Sequence, residues 1–262
     1  MLHYLKIYKT LVKLNFSSLL AYRFNFISDV LGSVTWGSFH FISIFLLTAK
    51  SGTVYGWIRE ELILLTASFS FIWGFFHIFF GKNFERIADI IHYGQLDQLL
   101  LKPADSQFLL SVNLINFTGG VRIIMGLVFI LIILTKIHIQ VTLINIISYI
   151  ILVFCSLILI YSLWYIVTTL IIWFTRLTNL VDFLFTISGI SRYPPETMKR
   201  AQTFFFPVLL PILIFVSIPT KVLLHKVIFG DVLQLIGVTL VFFLISRWFW
   251  KFALRFYTSA SS

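Results

Sequence analysis

The side chains able to do chemistry are few and scattered. Six histidines, His3, His40, His77, His92, His138 and His225, stand singly along 262 residues. None has the H-E-x-x-H spacing that would set two imidazoles on one helical face around a metal. The single cysteine, Cys155, lies in an apolar run, so neither an internal disulfide nor a cysteine-based metal site can form within one chain. No G-x-x-x-x-G-K-[ST] run is present to cradle a nucleotide phosphate. An enzyme needs a base, a nucleophile or a metal cluster facing a cavity. The expectation is therefore a chain that is not an enzyme and holds no metal and no cofactor of its own, any energy from ATP coming from another subunit.

The elements that must position these residues are set by composition. The chain is 59% hydrophobic and 11% charged, with a mean hydropathy of +0.98, where a soluble domain has about 45–50% apolar and about 25% charged residues. That excludes a water-soluble globule. Thirty Phe, 7 Trp and 10 Tyr exclude intrinsic disorder. The formal net charge of +10 fits either nucleic acid or the anionic face of a membrane, and the hydropathy selects the membrane. A spanning helix needs about 20 mainly apolar residues. Six such stretches occur, at 24–48, 60–80, 112–134, 142–174, 203–222 and 232–250.

The fold class expected is an all-α integral membrane protein with six transmembrane helices in one domain, 1–262. Residues 1–23 carry Lys6, Lys9 and Lys13 among Leu2, Leu5, Tyr8, Leu11, Val12 and Phe16, too charged for a signal peptide. They read as an amphipathic helix on the membrane surface. Helices 1 and 2 occupy 24–80, a polar segment 81–111, helices 3 and 4 112–174, a connection 175–202, helices 5 and 6 203–250, and a tail 251–262.

Lysine and arginine concentrate on the cytoplasmic side of membrane proteins. With the N-terminus inside, that side holds Lys6, Lys9, Lys13, Arg23, Lys82, Arg86, Lys102, Arg122, Arg176, Arg192, Lys199, Arg200, Arg247, Lys251 and Arg255. The outside holds Lys50, Arg59, Lys136, Lys221 and Lys226. The bias places both termini in the cytoplasm, with the 81–111 and 175–202 segments.

Ionisable residues deep in a bilayer mark ion-coupled transport. Asp29, Arg122, Arg176 and Asp182 all fall near expected cytoplasmic helix ends, where interfacial anchoring explains them. Small residues recur four apart, at Thr66, Ser70 and Gly74, at Ser28 and Gly32, and at Ser33 and Gly37. Such rows let helices approach closely, either inside one subunit or between two. Five of the six prolines crowd into one stretch, Pro194, Pro195, Pro207, Pro211 and Pro219. A helical proline frees a carbonyl, which in a membrane is tolerated where protein or a water-lined cavity satisfies it. Pro207, Pro211 and Pro219 are thus candidates for a substrate path or a gate, the alternative being a purely structural kink.

The 81–111 segment carries the most informative pattern. Phe84, Ile87, Ile90 and Ile91 share a helical face while Glu85, Arg86 and Asp89 take others. Gly94 can end that helix and Pro103 the next short one. Lys82, Arg86 and Lys102 stand against Glu85, Asp89, Asp97 and Asp105, so the segment is near neutral while the other cytoplasmic segments are basic. That balance suits a protein surface better than anionic lipid, the alternative being an ordinary interfacial helix.

Gly94, Leu96, Leu99, Leu100 and Pro103 fit the G-x-L-x-x-L-L-x-x-P pattern that follows the second helix of ABC-2 type permeases, which the chain resembles. The run Ile190 to Glu196 and the stretch Phe206 to Pro219 resemble the branch of about 260 residues in that family. One departure stands out: Tyr93 precedes Gly94 where many members carry an acidic residue. The resemblance implies that residues 82–103 form a coupling helix that docks on an ATPase, with Phe84, Glu85, Arg86, Asp89, Gly94, Leu96, Asp97, Leu99, Leu100 and Pro103 as its residues. It further implies two ATP-binding cassette subunits carrying ATP and Mg, a second permease in a homo- or heterodimer, and a bacterial inner membrane location. The function expected is export of an unidentified hydrophobic or amphipathic substrate. The rivals are an ATP-independent secondary transporter, an intramembrane enzyme and a scaffold.

Overall fold

A computed structural model describes residues 2–21, 23–49, 53–139, 141–174 and 179–258; the side chains of residues 2–5 and 199–208 lie outside that description. The chain is an all-α membrane protein. Helix α1 (Leu2–Ala21) leads into α2 (Arg23–Thr48). A two-stranded hairpin follows, β1 (Thr53–Val54) and β2 (Trp57–Ile58), with Thr53 opposite Ile58 and Val54 opposite Trp57. Its turn is Tyr55–Gly56, both at positive φ (51° and 84°), the geometry of a two-residue primed turn. The hairpin buries Trp57.

Helix α3 (Arg59–Phe76) does not stop at the expected boundary near residue 80. A π turn (His77–Gly81) carries it directly into α4 (Lys82–His92), giving one rod of 34 residues. At a rise of 1.5 Å per residue the rod is about 50 Å long, well beyond the about 30 Å hydrocarbon core. The polar segment thus begins as a rigid extension of a spanning helix. Short helices α5 (Gln95–Leu100) and α6 (Ser106–Val112) follow.

Helix α7 (Gly119–Lys136) starts seven residues later than expected. Asn116 is the cause: its Oδ1 accepts from the Thr118 amide and hydroxyl at 3.2 and 2.6 Å, and its own amide donates to the Ile78 carbonyl in the π turn at 2.9 Å. Those bonds hold residues 113–118 in turns. Helix α7 packs against α3 through glycines. A Cβ on Gly74 would lie 2.7 Å from Ile123 Cγ1, one on Gly119 2.6 Å from the Gly74 carbonyl, and one on Gly126 2.6 Å from the Phe71 amide nitrogen.

Helix α8 (Leu143–Thr169), extended by a 3₁₀ turn to Ile172, lies beside α10 (Lys199–Leu223) and α11 (Phe229–Ala253). Among the described residues, five segments are long and apolar enough to cross a membrane: α2, the α3–α4 rod, α7, α8 with its 3₁₀ turn, and α11. The expected fifth span, 203–222, lies within α10, whose ends meet the hairpin end of the molecule. Trp57 donates its indole N–H to Glu196 at 3.2 Å, and Lys226 Nζ lies 6.0 Å from the Trp57 ring centroid. Lys226 also pairs with Glu61 at 2.6 Å. The chain leaves for α10 and returns from it at the same end of the molecule.

A straight 25-residue helix would separate its ends by about 36 Å, so the shared end points to a bend within α10. Sharp helical bends are almost always proline bends, and Pro207 and Pro211 stand in that stretch. Residues 209–220 of α10 are all buried within this chain.

The preceding residues take the opposite course. In α9 (Leu180–Ser188) the Phe185 ring stacks on His77 at 5.4 Å. Arg192, in a 3₁₀ turn (Gly189–Arg192), lies over Phe69 at 5.7 Å, and Glu196, in a second (Pro195–Met198), reaches Trp57. Residues 179–198 therefore run antiparallel to α3 from its α4 end to its hairpin end. The connection expected for 175–202 thus packs along α3 over residues 179–198. Arg176 lies outside the described residues.

Candidate functional site

The site is the α4–α6 segment, built on an inward-facing apolar stripe. Phe84, Ile87, Ala88, Ile90 and Ile91 are buried, whereas Glu85, Arg86 and Asp89 are exposed. The Phe84 ring stacks on Phe76 at 5.9 Å and meets Tyr161 and Tyr165 of α8 at 5.9 and 6.0 Å. Gly94 ends the helix in the left-handed region at φ 67°, where a side chain would be strained. The chain then turns, Leu96 is fully buried, and α5 closes just before Pro103.

A single asparagine closes the segment. Asn83, 3% exposed, donates Nδ2–H to the Leu114 carbonyl at 2.7 Å and accepts the Leu114 amide on Oδ1 at 2.8 Å. It also donates to the Phe79 carbonyl at 3.0 Å. The amide side chain thereby imitates a backbone strand partner and joins both ends of the 83–114 loop. Its only sequence signal was a polar residue next to the apolar stripe of α4.

Helix α6 is bolted to the last helix. Asp105 caps it, accepting from the Phe108 amide at 2.9 Å. Arg247 of α11 grips the same carboxylate with both guanidinium arms, at 2.9 and 2.8 Å, and donates to Gln107 Oε1 at 3.0 Å. Those hydrogen bonds from Arg247, aided by the Phe108 amide, hold the Asp105 carboxyl below its ordinary range against the effect of partial burial. Trp250 donates to the Ser106 hydroxyl at 3.0 Å, and Ser111 and Tyr161 hydroxyls share a bond at 3.0 Å. On the other side Asn15 of α1 donates to the Asn113 carbonyl at 3.1 Å. Ile7 and Leu11 of α1 line a cavity of about 290 Å³ with Leu99 and Pro103.

The residues singled out in the sequence divide accordingly. Phe84 and Leu96 are internal anchors, Asp97 and Leu99 are half-buried, and Glu85, Arg86, Asp89, Leu100 and Pro103 reach the surface. Two residues absent from that set dominate the exposed tip: Tyr93, 70% exposed, and Leu101, 87% exposed. Leu101 falls inside the G-x-L-x-x-L-L-x-x-P pattern at a position the pattern leaves free.

The other candidates sort by burial too. Thr66, Ser70 and Gly74 face α7 inside this chain, Ser70 donating to the Arg122 carbonyl at 3.1 Å. Gly37 is buried against Met125, while a Cβ on Gly32 would meet nothing within 4 Å. Pro211 and Pro219 lie in the buried limb of α10, and the side chain of Pro207 lies outside the described residues. Pro219 has no N–H, so the Phe215 carbonyl four residues earlier loses its helical donor. Ser156 of α8 replaces it, its Oγ standing 2.6 Å from that carbonyl and 2.8 Å from the Leu152 carbonyl.

Residues 34–261 match the family model described as ABC-2 family transporter protein. No curated protein and no solved structure matches the chain.

Proposed function

The chain belongs to the ABC-2 transporter family, and from that premise we propose that it is the membrane-spanning permease subunit of an ATP-binding cassette exporter. It works in a bacterial cell membrane and moves a hydrophobic or amphipathic substrate with ATP hydrolysed, with Mg, by a separate ATPase. Two such ATPases and a second permease complete the assembly. The α4–α6 segment is the coupling element, and Tyr93 and Leu101 are its docking tip.

One observation carries the reading: an exposed apolar tip on a near-neutral segment that α3, α8 and α11 hold at once. A push on that tip is delivered to three long helices without passing through a flexible linker. The membrane crossings are α2, α3, α7, α8, residues 179–198 and α11, six in all, with both termini cytoplasmic. Residues 179–198 suffice because α-helical and 3₁₀ rises of 1.5 and 2.0 Å carry them about 30 Å. This routing moves Arg192, Lys199 and Arg200 to the outer half, and the inner excess of Lys and Arg persists at twelve against eight. Helix α10 is then re-entrant from outside, and Pro207, Pro211 and Pro219 give it the flexibility of a gate.

Purification of the full chain from its native membrane should bring down an ATP-binding cassette ATPase. In a Cys155→Ala background, a cysteine at Leu101 should cross-link to that ATPase, and one at Leu143, exposed at the opposite end, should not. Absence of the ATPase, or equal cross-linking from both positions, refutes the reading.

A further inference from the structure

A cavity of about 290 Å³ opens between α2, the π turn and the first turn of α7, lined by Asp29, Trp36, His77, Lys82, Glu85 and Arg122. It continues into a second cavity of about 330 Å³ under α1, the two sharing Asp29, Lys82, Asn116 and Thr118. The charges in it are not equally occupied. Lys82 and Asp29 face each other at 3.6 Å. Arg122 has no ion-pair partner and donates to no acceptor among the described residues, although it is largely enclosed.

An enclosed guanidinium without a protein partner is costly unless an anion takes its place. Its planar array of N–H donors matches a phosphate oxyanion better than a point charge would. The walls are arranged to keep the opening. The π turn sets His77 on the cavity, and a Cβ on Gly81 would lie 2.8 Å from His77 Nδ1. Gly32 of α2, also in the lining, leaves open space where a side chain would project. Such single π turns recur at functional sites in helices.

We propose that this crevice binds a phosphate group through Arg122, with a phospholipid headgroup or free phosphate as its source. The Trp36 ring, 60% exposed at the rim, is suited to the headgroup boundary of a bilayer. The inference requires only that the chain sits in a bilayer, so it stands or falls apart from the ATPase reading.

The test uses the full chain purified in mild detergent and titrated with dioleoylphosphatidylethanolamine, with diolein, which lacks phosphate, as the comparison. Native mass spectrometry reads the bound fraction. The wild-type chain should bind the phospholipid at least tenfold more tightly than diolein. Arg122→Gln should abolish the difference, while Arg122→Lys should keep part of it. Gly32→Leu projects into the crevice from a position where a Cβ meets nothing within 4 Å, so it should fold normally and lower phospholipid binding as much as Arg122→Gln. Inorganic phosphate that displaces the lipid at millimolar concentration assigns the site to the free ion; no displacement assigns it to the headgroup. Equal affinity for phospholipid and diolein in the wild type overturns the proposal, as does undiminished phospholipid binding in Gly32→Leu.

Discussion

Replacing Asn83 with alanine tests whether the α4–α6 segment acts as one closed body. The substitution removes three hydrogen bonds and leaves both backbone groups of Leu114 without their partner. An unsatisfied backbone group costs about 1–3 kcal/mol where it is shielded from water. Leu114 is half-buried, so the lower part of that range applies to each group, and the local opening free energy should fall by about 2–3 kcal/mol. At about 1.4 kcal/mol per decade, amide exchange of Leu114 should accelerate by about 30- to 150-fold. Hydrogen–deuterium exchange with mass spectrometry on the peptide spanning Leu114 reads this directly. Glu85→Ala, on the exposed side of the same helix, should leave that peptide within about threefold of wild type. Unchanged exchange in Asn83→Ala, or equal acceleration in both variants, would show that the loop is held by its apolar anchors alone.

Three further outcomes follow from the same packing. Asp105→Asn keeps a helix-capping group but loses the charge gripped by Arg247, and should lower stability at neutral pH by about 1 kcal/mol, since both partners are about one-third exposed. Because the folded carboxyl titrates below its ordinary range, this contribution is complete above the unfolded carboxylate pKa of about 4 and disappears as the pH falls through the lower folded value. The melting difference between wild type and Asp105→Asn should therefore narrow on acidification; a constant gap contradicts the pairing. Gly126→Ala sets a methyl 2.6 Å from the Phe71 amide nitrogen and 2.7 Å from the Ala67 carbonyl, so α3 and α7 must separate. Thermal unfolding in nanodiscs should show a loss of about 2 kcal/mol or more, against less than about 0.5 kcal/mol for Gly32→Ala. Ser156→Ala should cost about 1–2 kcal/mol by orphaning the Phe215 carbonyl, and Pro219→Ala, which restores a helical donor, should suppress most of that loss; additive effects of the two would refute the assignment.

What was legible in the sequence was local and periodic. The buried stripe of α4 repeats at three and four residues, Gly94 sits where a helix must stop, and Thr66, Ser70 and Gly74 mark the close face of α3. Each depends on neighbours within a turn or two. The course of residues 179–223 was not legible because a hydropathy scan weighs apolar content and cannot see where a segment's ends return. Residues 203–222 are richly apolar, and those from 209 to 220 are buried within this chain. Residues 179–198 carry Asp182, Arg192, Glu196 and two prolines, and run beside α3 because Phe185, Arg192 and Glu196 meet His77, Phe69 and Trp57. The pairing of Asp105 with Arg247 joins residues 142 apart, and no spacing rule anticipates it.

These long-range contacts explain why so few polar side chains are needed. In lipid, apolar surface gives helices no preference for one another, so close packing and interhelical hydrogen bonds decide the arrangement. Helix α8 shows the economy of this. Its Ser156 hydroxyl satisfies the carbonyl freed by Pro219 in α10, and one and a half turns further on its Tyr161 hydroxyl meets Ser111 in α6. One rigid helix thus touches the proline-containing α10 at one level and the end of the α4–α6 segment at another. If α8 tilts when α6 is displaced, Ser156 must move with it, and the Phe215 carbonyl then either follows or loses its donor. Helix α10 is for that reason tied to the α4–α6 segment through α8, although no covalent connection shorter than the chain from α6 to α10 joins them.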